Sequence, residues 1–346
     1  GLIGSYAGAA WELSGPSEDY LFGAADDQVW ETSLGDYGRT FPHPYGPADG
    51  GLSTTLLTLR PAGDEIVADV AETLIDAEGL GQDDVPDYLA VSFSSTDYVG
   101  HLFGPSSLEA EENFARLDRT LAGLLSHVDE RVGLANTLVV LSADHGGPDN
   151  PSYLAEFGIG GGIVDLEGLD REPAIARLKK TFGIAQELIS SYSAPYLFLN
   201  REAIAASDLD QAEVERVIAE ELVRMPGIAE AVSSTALRSQ TLATSPVRDA
   251  VLANFNPARS GDIYVVFEPH WFVADFDGLE VSATHGSPWA YDTHVPILIA
   301  GPGVPHGRVT RRVETVDLAP TIAAYLGIKY PSGTRGRPLV EVFAYE

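Results

Sequence analysis

Two apolar runs separated by a long amphipathic stretch, each followed within a few residues by an acid and an imidazole, constrain this chain more than any other feature. The run Tyr88-Leu-Ala-Val-Ser-Phe93 has the continuous apolar character of a strand buried on both faces, and so does Thr137-Leu-Val-Val-Leu-Ser142. Between them the spacing predicts a helix from about Ser107 to Val128, with Phe114, Leu117, Leu121, Leu124, Leu125 and Val128 on one face. Ser106 and Glu109 stand at capping-box spacing at its start. Strand, helix, strand in this order is the pattern of a parallel sheet with helices packed on its faces, where ligands collect beyond the carboxyl ends of the strands. Asp97 follows the first run and Asp144 the second.

The rest of the chain extends this pattern. A helix is expected from Asp64 to Gly79, with Ile66, Val67, Val70, Ala71 and Leu74 at helical spacing. The first 60 residues, rich in Gly, Pro and aromatics, read as irregular. From about 156 to 269 the texture changes to a Gly-rich passage, a helix near 171–180, a strand at Tyr196–Leu199, a helix from Gln211 to Met225 and a strand at Ile263–Phe267. The main sheet resumes with Val295–Ala300, and a helix near Asp317–Leu326 follows. The expected organisation is therefore a core made of 1–155 and 270–346, interrupted by a small α+β module at 156–269.

Composition narrows the function classes. With 51 acidic against 21 basic residues the net charge is −30, which repels a nucleic-acid backbone and argues against a scaffold role on DNA or RNA. An anionic small substrate would need a local positive centre, which bound metal ions can supply. No apolar run approaches the roughly 18 residues needed to span a bilayer, so no membrane span is expected. Cysteine is absent, which excludes disulfides and thiolate ligands. A cysteine-free, acidic chain suits the periplasm or the exterior of the cell, and that location is expected here.

Three segments carry closely spaced metal-ligand groups: Asp97 with His101, Asp144 with His145, and His285 in Ala283-Thr-His-Gly-Ser-Pro-Trp-Ala-Tyr-Asp-Thr-His294. An Asp and a His four residues apart share one side of a helical turn and can reach one ion. Two carboxylates and three imidazoles without sulfur favour zinc, with manganese and iron as alternatives. His294 either orients a ligand segment or makes a structural hydrogen bond. His127 closes a helix, where a cation suits the dipole. His43, His270 and His306 lie in expected loops without ligand-like spacing.

The runs SFSSTDYVGHLFGP, LSADHGG, THGSPWAYDTHVPILIAGPGV and VDLAPTIAAYLGI resemble the alkaline phosphatase superfamily. The likeness is strongest to the branch of monomeric alkaline phosphatases and nucleotide pyrophosphatase/phosphodiesterases. It covers about 85–155 and 280–340. The resemblance implies a three-layer α/β/α sandwich with a mainly parallel central sheet and two zinc ions. Asp97, His101 and His285 would hold one ion, and Asp144 and His145 would contribute to the other. It also implies hydrolysis of small phosphate monoesters through a Ser or Thr phospho-enzyme, with phosphodiester or nucleotide pyrophosphate hydrolysis as the alternative. The nucleophile segment of the family has no counterpart in this sequence. Ser53-Thr-Thr55 reads better as turn or capping residues, and no Lys precedes Lys179. The expected source of the nucleophile is a segment upstream of Gly1 or another chain that completes the site; failing that, the chain is a catalytically silent metal-binding fragment or pseudoenzyme.

Overall fold

The computed structural model describes residues 6–46, 53–166, 168–239, 242–276 and 278–343. Its first long helix, α1 (Pro61–Glu78), starts on a proline whose missing N–H costs nothing in the first turn and stops at Gly79 in the left-handed conformation (φ 64°). The next is the short α2 (Ser95–Phe103), and α3 (Leu108–Arg131) follows it. Helix α3 is capped by Ser107 rather than Ser106: the Ser107 hydroxyl accepts from the Ala110 N–H at 3.1 Å. Helices α1 and α3 meet through Ala71, Ile75 and Leu124, and His127 on α3 reaches Asp76 on α1 at 3.1 Å.

Periodicity places these helices correctly but not all of their buried faces. Val70, Leu74, Phe114 and Leu125 are exposed, whereas the start of α3 buries Glu109, Glu112 and Asn113. That polar interior is paired in part with remote segments, while Glu109 Oε2 and Asn113 Oδ1 have no hydrogen-bond partner among the described residues. Glu112 accepts from the Ser14 hydroxyl at 2.5 Å and from Arg116 Nε at 2.8 Å. The His43 ring lies between Tyr37 O and Glu109 Oε1, at 3.0 Å from each. Since Nδ1–H must donate to the carbonyl, Nε2 accepts a proton shared with Glu109. Burial, which pushes the Glu109 carboxyl up to about 8 and His43 down to about 4, favours the neutral form of this pair.

Strand β1 (Val139–Ser142) follows, and after a long excursion β8 (Ile297–Ala300) pairs with it antiparallel, with Leu298 opposite Leu141. The run 88–93 departs from its expected buried strand. It joins no ladder, and its inner residues Val91 and Phe93 pack toward α1 and α3 while Tyr88 is 72% exposed. A continuous apolar run can be buried on both faces only if both faces are covered, and among the described residues one is not. Helix α7 (Leu318–Tyr325) comes after β8.

The excursion contains β2 (Gly162–Ile163), α4 (Pro173–Phe182), β3 (Ile189–Ser193), β4 (Tyr196–Leu199), α5 (Gln211–Leu222), β5 (Ile228–Ser233), β6 (Ile263–Phe267) and β7 (Trp271–Phe272). The order β3-β4-β6-β5 makes an antiparallel sheet. Leu197, Ile263 and Val265 from the sheet pack with Val214, Ile218 and Leu222 of α5, all buried. Strands β2 and β7 pair in parallel, which brings the two ends of the excursion side by side.

Candidate metal centre

The centre is built on α2. Asp97 in its first turn and His101 one turn later project to the same side, as the four-residue spacing requires. The helix is held from below by Asp64 of α1, whose buried carboxylate accepts from Ser95 N–H and from the Thr96 hydroxyl, each at 3.0 Å. Asn113 of α3 donates to the same hydroxyl at 3.0 Å. An acid on the first N–H groups of a helix stabilises its dipole as well as its unpaired donors.

The His285 segment lies across the end of α2. Ser282 and Ala283 donate their N–H groups to His101 O, and His101 Nδ1 donates to Ala283 O at 2.7 Å. Buried Asn150 donates to Ser282 O at 2.8 Å, which ties in the loop after β1. With Nδ1 committed as donor, the neutral His101 ring presents the lone pair of Nε2 to the centre. His145 has the same orientation, its Nδ1 bonded to Gly146 O at 2.9 Å.

Three imidazoles converge on the Asp97 carboxylate. Oδ2 lies 3.4 Å from His101 Nε2, and Oδ1 lies 3.5 Å from His285 Nε2 and 3.9 Å from His145 Nε2. These separations exceed the usual 2.7–3.2 Å of a hydrogen bond. The first two match the edge of a tetrahedron whose centre-to-ligand bonds are roughly 2.0–2.1 Å, about 3.3–3.4 Å. One ligand atom each from Asp97, His101 and His285 lies within 4.8 Å of the others, so the three fit a single ion. The His145 ring stacks on His285 with centroids 3.4 Å apart and planes at 16°.

The electrostatics agree with this geometry. Burial pushes the Asp97 carboxyl up, but the imidazoles, His101 first, outweigh it and hold it below the usual carboxylate range. Burial pushes His101 down, yet the facing Asp97 carboxylate and the Ala283 carbonyl leave it raised. His285 is pushed down to about 4 by burial and then by His145, so its ring is neutral at ordinary pH. The result is an ionised acid beside a neutral His285 ring, with His101 holding a proton more firmly than a free imidazole until an ion takes its place.

The sequence-derived ligands thus divide into two sets. Asp97, His101, His285 and His145 come together, while Asp144 is 87% exposed, its Oδ2 3.5 Å from His145 Nε2 and its Oδ1 accepting from the His145 N–H. His294 is exposed, and its ring makes no hydrogen bond among the described residues. Thr54 and Thr55 are exposed in the first turn of a short helix at Ser53–Thr58. Asp64 and Asn150 were not singled out from the sequence. Their partners lie far away along the chain, and an acid in the first turn of α1 reads as ordinary capping.

A profile of the type I phosphodiesterase / nucleotide pyrophosphatase family matches residues 21–288. The chain belongs to this family. Within the wider alkaline phosphatase superfamily, it is 34% identical over 98% of its length to a Myroides odoratus protein named calcium-transporting ATPase. It is 32% identical over 96% of its length to alkaline phosphatase PafA of Elizabethkingia meningoseptica. Alkaline phosphatase PhoV of Synechococcus elongatus is 30% identical over 99% of the chain. These alignments cover 62%, 60% and 60% of the three relatives, so the chain spans about three fifths of their length. The crystal structure of PafA superposes with a TM-score of 0.87 over 99% of this chain and 64% of that one. The fold is therefore that of the alkaline phosphatases, an α/β architecture in which the described residues show the central sheet only in part.

Proposed function

We propose that this chain carries the metal-binding half of a zinc-dependent phosphoester hydrolase acting on small phosphate monoesters. The observation that carries the reading is the convergence of Asp97, His101, His285 and His145 from three remote segments onto one acidic centre. Relatives 30–32% identical over nearly the whole chain and named alkaline phosphatases support the monoester reading. The family name favours phosphodiester or nucleotide pyrophosphate hydrolysis as the alternative.

Zinc bound here would act as a Lewis acid toward phosphate oxygens and lower the pKa of a coordinated hydroxyl or water. The residues of the chain have separate tasks. Asp97, His101 and His285 hold one ion, with Asp97 lending the charge and the two rings neutral lone pairs. His145 and Asp144 contribute to a second. Ala283 O and Gly146 O fix the tautomers of His101 and His145, so that Nε2 of each faces the centre. Helix α2, capped by Asp64, keeps the first ligand pair in register. No residue of this chain is assigned the Ser or Thr nucleophile; its source is an N-terminal segment or a further chain that completes the site.

Residues 156–269 form a module inserted in the catalytic fold, a reading supported by their separate core and by the β2–β7 pairing at their ends. The acidic, cysteine-free composition supports a periplasmic or secreted location, and no helix among the described residues is long and apolar enough to cross a membrane. Metal content and hydrolysis of p-nitrophenyl phosphate and bis-p-nitrophenyl phosphate test the proposal. Stoichiometric zinc in this chain is expected, with preferential monoester cleavage once the segment or chain that supplies the nucleophile is present. Preferential diester cleavage by that completed site selects the alternative, and zinc without any cleavage there selects a silent metal-binding protein.

A further inference from the structure

Two of the ligand histidines, His145 and His285, sit on loops without regular structure, and each loop must be located to a few tenths of an ångström if its ring is to meet Asp97. The short helix α6 (Ala290–Thr293) stands between β7 and β8 and touches both loops. Asp292 on it is only 3% exposed. Its Oδ2 accepts the Ser287 N–H at 2.7 Å, which pins the chain two residues beyond His285. Its main-chain carbonyl accepts the Gly146 N–H at 2.8 Å, which pins the residue after His145. A Cβ at position 146 would lie 2.1 Å from Tyr291 O, so this backbone contact requires glycine. One residue therefore holds both loops, and the rings they carry stack at 3.4 Å. The second carboxylate oxygen, Oδ1, is buried without a hydrogen-bond partner. A buried polar atom left unpaired costs stability, so packing alone does not account for an acid at this position.

We infer that Asp292 is a positioning residue: it locks the His145 loop to the His285 loop and thereby sets the spacing of both imidazoles from Asp97. The inference rests on the metal reading above. It extends that reading to a residue that reaches the two imidazoles through the backbone of the residues that follow them. Removing the carboxylate releases the His285 loop, whereas a side chain at Gly146 pries the His145 loop away while leaving Asp292 intact. Both changes are expected to spoil the same geometry from opposite sides.

The test titrates Zn2+ and Co2+ into the metal-stripped protein and into its Asp292→Ala, Asp292→Asn, Gly146→Ala and Asp97→Ala variants, with the unfolding midpoint of each apo-protein measured alongside. Asp292→Ala and Gly146→Ala should each weaken metal binding by about 10–100-fold and shift the Co2+ absorption bands. Asp292→Asn, which retains an acceptor for Ser287 N–H, should recover most of the affinity and the parent spectrum. Should the Ala variant fail to fold, the Gly146→Ala and Asn variants decide. Parent-like affinity and spectrum in Asp292→Ala, or in Gly146→Ala if the former is unfolded, overturn the positioning role provided that Asp97→Ala loses metal. Retention of metal by Asp97→Ala overturns the metal reading itself, and the two failures are thereby distinguished.

Discussion

The residues from 164 to 265 and the residues that carry the centre differ in the proportion of apolar and polar groups that they bury. The first set closes an apolar core around a four-stranded antiparallel sheet, and Leu188, Leu197, Ile218, Leu222 and Ile263 are inaccessible to solvent. The second set seats Val99, Leu102 and Phe103 of α2 in an apolar cluster and surrounds it with buried polar groups, of which Asp64, Asn113, Asn150 and Asp292 bond to α2 or to the loops of the centre. Asp64, Glu109, Glu112, Asn113, Asn150 and Asp292 are all buried, and its two-stranded ribbon leaves Leu298 54% and Leu141 41% exposed on one face. A ribbon of two strands is marginal by itself. The geometry of the candidate centre is thus held by directional bonds between α1, α2, α3 and three loops in addition to apolar contacts, while apolar burial predominates in residues 164–265 around the buried acids Glu215 and Asp262.

That contrast can be broken by substitution. The largest effect on stability is expected in the apolar unit: Leu197→Ala should cost about 2–5 kcal/mol by chemical denaturation, with metal affinity unchanged. A parallel loss of metal affinity would show that the two regions are mechanically coupled. A smaller effect on stability but a larger one on the centre is expected for Asp64→Ala, which removes the cap of α2. It should cost about 0.5–2 kcal/mol and also weaken metal binding. Metal affinity equal to the parent's would deny Asp64 its role.

The polar network also predicts a pH dependence. Burial, and then the neighbouring Glu109, push the Glu31 carboxyl from 4.5 up to about 9. The folded state therefore keeps a proton that the unfolded state releases above about 4.5, and the stabilisation fades as pH rises through this window to about 9. Glu31→Gln should flatten the fall of the unfolding midpoint across that range, and an unchanged slope would place its source elsewhere. The smallest effect is expected on the open ribbon. Leu298→Thr should change the stability of this chain by less than about 0.5 kcal/mol, because the side chain is already largely in water. A cost of several times that would show that something covers the face in solution.

The centre was more legible in the sequence than the scaffold that holds it. Asp97 and His101 stand out through helical spacing and His145 through its place after an apolar run, whereas His285 was assigned its role through the family resemblance. The helices α1, α3 and α5 were visible through periodicity and stop signals such as Gly79. The run 88–93 was misread, since uniform apolarity does not say how many faces are covered. The buried side of α3 was only partly read, because Glu109, Glu112 and Asn113 are polar and their partners His43, Ser14 and Thr96 lie on remote segments. Asp64 and Asp292 escaped for the same reason: a carboxylate that caps a distant helix or pins a distant loop looks in sequence like any surface acid.

The most direct test of the central claim is calorimetric titration of Zn2+ into the metal-stripped protein and its His285→Ala variant. The account predicts tight binding by the parent and a loss of at least about 100-fold in the variant, since His285 supplies one of three converging ligand atoms. Equal binding by the two proteins, or none by either, would contradict it.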